Sequence, residues 1–146
     1  MKAALILFCA AAAATAASPV LADVVTICRA PAGKSIQPAG PAGWTDENLA
    51  GSTVTVTNDR VAGYDVETKL PGGAVTASGS GARIRRIQGD DSAGLTLSVE
   101  YAAGTVEVYQ LALDDKGAGT MLMASLKSGA AGGTKGSLLT ANCTRP

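Results

Sequence analysis

From Asp23 onward, apolar and polar residues alternate along most of the chain with a period of two, the mark of strands with one face buried. Strands are expected at 23–29, 52–59, 60–68, 73–79, 82–88, 94–102, 105–114, 119–128 and 136–143. In the stretch "GLTLSVEYA", Leu95, Leu97, Val99 and Tyr101 share one face against Thr96, Ser98 and Glu100. In "TVEVYQLALD" the phase slips: Val106 and Val108 have one parity, while Tyr109, Leu111 and Leu113 have the other. A bulge near Val108–Tyr109 would reconcile them. The last strand puts Leu139, Ala141 and Cys143 on one face.

Two segments break the pattern. Residues 30–43, "APAGKSIQPAGPAG", are too rich in proline for a central strand and read as an irregular surface loop. Residues 44–51, "WTDENLAG", are the one helix-like piece, with Thr45 as an N-cap, Asp46 and Glu47 at the positive end and Gly51 as a stop. Short connections containing Gly and Asp favour antiparallel hairpins. The expected fold is therefore all-β, a small antiparallel β-barrel of eight or nine strands, with a two-sheet β-sandwich as the alternative. The barrel is preferred because joining the terminal strands would remove sheet edges.

The first residues, "MKAALILFCAAAAATAASPVLADVV", have the order of a secretory signal peptide: Lys2, an uncharged apolar run, then small residues. Cleavage is expected after Ala22, with Ala17 as the alternative, so that 1–22 is a leader and 23–146 a single β domain. The apolar run is too short for a permanent membrane anchor. The expected location is periplasmic or secreted. Losing Lys2 leaves eleven basic residues against twelve acidic ones.

Losing Cys9 leaves Cys28 and Cys143, an even pair in an exported chain, which reads as a disulfide. Zinc would need more ligands, and the chain has no histidine. The bond would close a loop of more than a hundred residues, which in the chain-entropy model is worth about 4 to 5 kcal/mol. It also sets the first and last strands side by side.

The absence of histidine excludes Ser-His-Asp and Cys-His catalysis. Ser125 and Lys127 lack the S-x-x-K spacing and read as an exposed polar edge. The acid pairs Asp90-Asp91 and Asp114-Asp115 read as turn formers rather than calcium ligands. "GAAGGTKG" (129–136) has the wrong order for a phosphate-binding loop. The one charge cluster is Arg83, Arg85 and Arg86 in "ARIRRIQ". With net charge near zero and no interleaved aromatics, it does not point to nucleic acid.

Three stretches, "VVTICRA", "SGSGARI" (78–84) and "TKGSLLTANC" (134–143), resemble parts of the periplasmic inhibitors of c-type lysozyme. The resemblance implies a small exported β-barrel with a disulfide between its end regions. It also implies a contact loop containing Ser80, Gly81 and Arg83, with Lys135 opposite. The chain departs from the family's pattern at Ile84, where an aromatic is usual, and before Thr134, where a tryptophan is usual.

Taken together, these features lead to the expectation of a non-enzymatic binding or interaction module of the cell envelope, without cofactor or metal. Its partner would be a protein or a small ligand, contacted through Ser80, Gly81, Arg83, Arg85, Arg86 or Lys135. The alternatives are an inhibitor of a hydrolase such as lysozyme and a carrier of a small apolar ligand.

Overall fold

Strands that alternate in this way each have one apolar face to hide, and the chain hides most of these faces by curling a single sheet, leaving the edge strands Gly73–Thr76 and Arg83–Gly89 largely exposed. The computed structural model describes residues 22–38, 43–91, 94–129 and 133–146. Apart from Ala22, the expected leader lies outside the described residues, as do 39–42 of the Pro/Gly-rich segment and 130–132 of "GAAGG".

Ten strands follow in chain order: β1 (Asp23–Ile36), β2 (Thr45–Asn48), β3 (Thr53–Asp59), β4 (Gly63–Leu70), β5 (Gly73–Thr76), β6 (Arg83–Gly89), β7 (Gly94–Glu100), β8 (Val106–Leu113), β9 (Ala118–Gly129) and β10 (Gly133–Thr144). They lie in the order β5-β4-β3-β1-β10-β9-β8-β7-β6, with β2 beside the second half of β1. Every pairing is antiparallel. The sheet curls into a half-barrel, and β4 approaches β6 across its open side. The expected all-β, barrel-like fold is thus observed.

The terminal strands do meet, and Cys28 faces Cys143 directly in the β1–β10 register, where the two form the disulfide. Their pairing lies in the middle of the sheet, however, so it removes no edge; the edges are β5 and β6. A disulfide of this kind persists in oxidising, non-cytoplasmic compartments. Among the described residues, no helix is long and apolar enough to cross a membrane.

Three local expectations are corrected. The piece 44–51 is not helical: Thr45–Asn48 pairs with Ala32–Ser35 as β2. One isolated helical turn gains little against such a ladder, and here Asp46 also meets Lys34 at 2.6 Å. Residues 32–36 of the expected loop instead continue β1. Pro31 sits at the irregularity between Arg29 and Ala32, where no ladder N–H is required. Its carbonyl accepts from Leu49 N at 2.8 Å, and Ala30 N donates to Ser52 O at 2.9 Å.

The third correction concerns β8. It has no bulge, and its register with β7 and β9 is unbroken from Val106 to Leu113. Glu107, Tyr109 and Leu111 point inward and are buried, while Val106 is left outside. The apparent slip is an acid in a core position flanked by outward valines.

The core is the inner face of the curl. Cys28, Val54, Val56, Leu97, Val99, Tyr109, Leu111, Met121 and Leu139 are almost wholly excluded from solvent. Backbone contact is close enough at Gly119 that a Cβ there would lie 1.9 Å from Ala112 O. Only glycine fits that ladder position.

Candidate functional site

One end of the half-barrel is polar inside. Strand alternation carries the inner face of β9 from Met121 and Met123 to Ser125 and then Lys127. On β8 the same face runs from Leu111 through Tyr109 to Glu107, and on β10 it runs from Leu139 to Ser137 and Lys135. The apolar core therefore gives way to a polar mouth. Two adjoining cavities of about 150 and 340 Å³ open there, and both are lined by Thr68, Glu107 and Lys127.

Glu107 is the centre of the mouth and only 7% exposed. Its Oε2 accepts the Tyr109 hydroxyl at 2.6 Å and the Tyr101 hydroxyl at 3.2 Å. Burial, then the Glu107 charge and its hydrogen bond, push the Tyr101 pKa up to about 12. The same causes push Tyr109 further in that direction. Both phenols therefore remain protonated and act as donors.

Directly across the β8–β9 ladder from Glu107 stands Ser125. It is 5% exposed, lines the inner cavity, and its Oγ has no hydrogen-bond partner. The sequence suggested an exposed polar edge for Ser125 and Lys127; Ser125 is instead buried. Leaving a buried hydroxyl unpaired costs about 1 to 3 kcal/mol. Such a group is conspicuous where the other buried side chains among the described residues are satisfied.

The second acid is Glu47 on β2. It meets Lys135 Nζ at 2.6 Å and accepts Ser137 Oγ at 2.7 Å. Burial works against its ionisation, but the hydrogen bonds from Lys135 and Ser137 and the Lys135 charge outweigh that and hold its pKa below the ordinary value.

The residues named from the sequence fall in different places. Lys135 lies at the mouth, committed to Glu47. Ser80 ends a single 3-10 turn (Ser78–Ser80), and Gly81 follows it at φ 70°; both are exposed. Asp65 anchors this turn by accepting the Ser78 backbone N–H and hydroxyl. Arg83, Arg85 and Arg86 lie on edge strand β6. Arg85 is 3.8 Å from Glu100 with both side chains about half exposed, a weak pair. Arg86 lies near Tyr64 and favours ionisation of its phenol, but burial and Asp91 outweigh it and raise that pKa. Lys135, on a central strand, is thus separated from the arginine edge by β9, β8 and β7.

The acid pairs are turn groups, as expected. Asp114 Oδ1 accepts Lys116 N and Ala118 N, each at 2.9 Å. Asp91 accepts Tyr64 OH at 2.6 Å and Asn58 Nδ2 at 2.9 Å, tying the end remote from the mouth. Among the described residues, no cluster of three or more Cys, Asp or Glu is arranged to hold a metal.

The larger groove, about 420 Å³, lies on the outer face under Trp44 and is lined by Ala32, Gly33, Leu138 and Thr140. Its one charged group, Lys34, is already paired with Asp46. It carries no chemistry comparable to the mouth.

Glu107 was not singled out from the sequence, Ser125 was read there only as part of an exposed edge, and Glu47 only as an acid at a helix end. The parity break in "TVEVYQLALD" was the available signal for Glu107: extending the Tyr109–Leu111 face backward lands on it. No family model, curated protein or solved structure matches this chain.

Proposed function

We propose that the protein is a non-enzymatic binding module of the cell envelope, periplasmic or secreted, whose site is the polar mouth. The observation that carries this reading is the unpartnered Ser125 hydroxyl buried beside Glu107 and facing a cavity. A fold tolerates such a group where a ligand supplies the missing partner. The absence of histidine and the two phenols held on Glu107 favour holding a ligand over transforming it.

A panel of small polar solutes (amino acids, amines, carboxylates and sugars) tests the reading by thermal shift at millimolar concentration. At least one class is expected to raise the melting temperature of the wild type. Ser125→Ala removes an unsatisfied group, so it should fold at least as stably while responding less. Failure of every class to protect the wild type, or equal protection of Ser125→Ala, would overturn the proposal.

A second reading, inhibition of a hydrolase such as lysozyme, draws support from the exposed, Asp65-anchored turn at Ser78–Ser80. Absence of lysozyme inhibition at micromolar protein would end it. A carrier of apolar ligands needs a hollow interior, and the described interior is filled by Leu97, Val99, Leu111, Met121 and Leu139.

A further inference from the structure

Three charged side chains line the inner cavity of the mouth, Glu47, Glu107 and Lys127, and a fourth, Lys135, lies beside it against Glu47. Lys135 stands directly opposite Lys127 across the β9–β10 ladder. Two of the four cancel, because Glu47 and Lys135 meet at 2.6 Å. The other two do not. Glu107 and Lys127 make no ion pair, with each other or with any other described residue. The mouth therefore presents one unpaired carboxylate, buried, and one unpaired ammonium, at the rim.

The carboxylate is the more demanding of the two. A buried charge without a counter-charge is costly, and hydrogen bonds from two neutral phenols only partly offset that. Both phenols converge on Oε2, which leaves Oε1 without a hydrogen bond from any described residue. Beside it lies the free Ser125 Oγ, which can both donate and accept. An ammonium group placed here would find a carboxylate oxygen and a hydroxyl oxygen together. Lys127 stands two residues further along the same face of β9, roughly 7 Å of strand, a distance its flexible stem can shorten.

Resting on the mouth being a binding site, we infer that its ligand is a small zwitterion, with an ammonium and a carboxylate a few atoms apart, as in an α-amino acid with a small side chain. The ammonium sits against Glu107 and Ser125, and the carboxylate faces Lys127. The inner cavity beside Ser125 is small, about 150 Å³, well below the ~300 Å³ where drug-sized sites begin, while the adjoining cavity of about 340 Å³ keeps the Lys127 rim open. A neutral sugar would leave Glu107 without a counter-charge, and a simple carboxylate would be repelled by it.

Calorimetric titration of the disulfide-bonded protein separates these classes, using alanine, ethanolamine, lactate and glucose as probes. Alanine should bind. Ethanolamine lacks the carboxylate and lactate the ammonium, so each should bind at least about tenfold more weakly, the worth of one lost charge-assisted contact. Glu107→Gln keeps the shape and should lose alanine by about tenfold or more. Lys127→Gln, at the exposed rim, should abolish the preference for alanine over ethanolamine while leaving the fold intact. If glucose or lactate bound as well as alanine, or if Glu107→Gln kept wild-type affinity, the zwitterion assignment would fall while the mouth remained a site. If none of the four bound at millimolar concentration and no other solute protected the protein, both would fall.

Discussion

At the scale of single residues, the mouth is built from groups whose protonation the fold controls. Tyr101 and Tyr109 at the mouth, and Tyr64 at the opposite end, all have raised pKa values, with Tyr101 at about 12, each chiefly through burial. A phenol whose folded pKa is raised stabilises the protein fully below its unfolded value near 10 and loses that contribution as pH rises through the folded value. Absorbance titration at the phenolate band should therefore show less ionisation near pH 10 in the folded protein than in the unfolded chain, with Tyr101 and Tyr109 the last to ionise. Between about pH 10 and 12, stability should fall, and the phenols should ionise together with unfolding. A normal tyrosine titration near pH 10 with the fold retained would contradict the buried Tyr–Glu107 cluster. Ser125 is the complementary case: its unpartnered buried hydroxyl costs the fold stability, as Ser125→Ala should show by unfolding at a temperature no lower than that of the wild type.

Among the elements, β2 shows most clearly what tertiary context decides. Its four residues have a helical capping pattern, yet β1 offers them a ladder and both lysines, Lys34 and Lys135, offer charge. Glu47 has a depressed pKa, so its contribution is present above its unfolded value near 4.5 and is lost as pH falls through the lower folded value. Acidification below that window should loosen β2 first, read as faster hydrogen exchange at Glu47 and Lys135 than in the β8–β9 ladder. Glu47→Gln should remove most of that pH dependence. The strands, their antiparallel sense and the disulfide were legible in the sequence because alternation and paired cysteines are local or compositional signals. The buried acid of β8 and the continuation of β1 past Pro31 were not. Each breaks its local pattern because of neighbours outside its own strand, Tyr101 on the β7–β8 connection and Ser125 across the ladder for the one, and β2 and β10 for the other.

For the whole molecule, the decisive feature is the seam between β1 and β10, crossed by Cys28–Cys143 over a sequence separation of 115. Reduction should lower stability by about 4 to 5 kcal/mol in the chain-entropy model, a large share of the total for a domain of this size. Denaturant unfolding with and without reductant measures this, and thiol labelling of the native, unreduced protein should find neither cysteine free. Coincident oxidised and reduced unfolding curves would show that the bond does not constrain the unfolded chain. The seam also has a consequence in time. Among the described residues, β10 joins the β5-β4-β3-β1 side of the sheet to the β9-β8-β7-β6 side, and it follows the other nine strands in sequence. Until residues 133–144 emerge, a nascent chain holds two unjoined meanders, each with an unsatisfied central edge and half of a core. The sheet cannot close before β10 has been made. The two halves of the sheet stay apart until β10 pairs with β1, and only that pairing brings Cys143 to Cys28 so that oxidation can lock the seam.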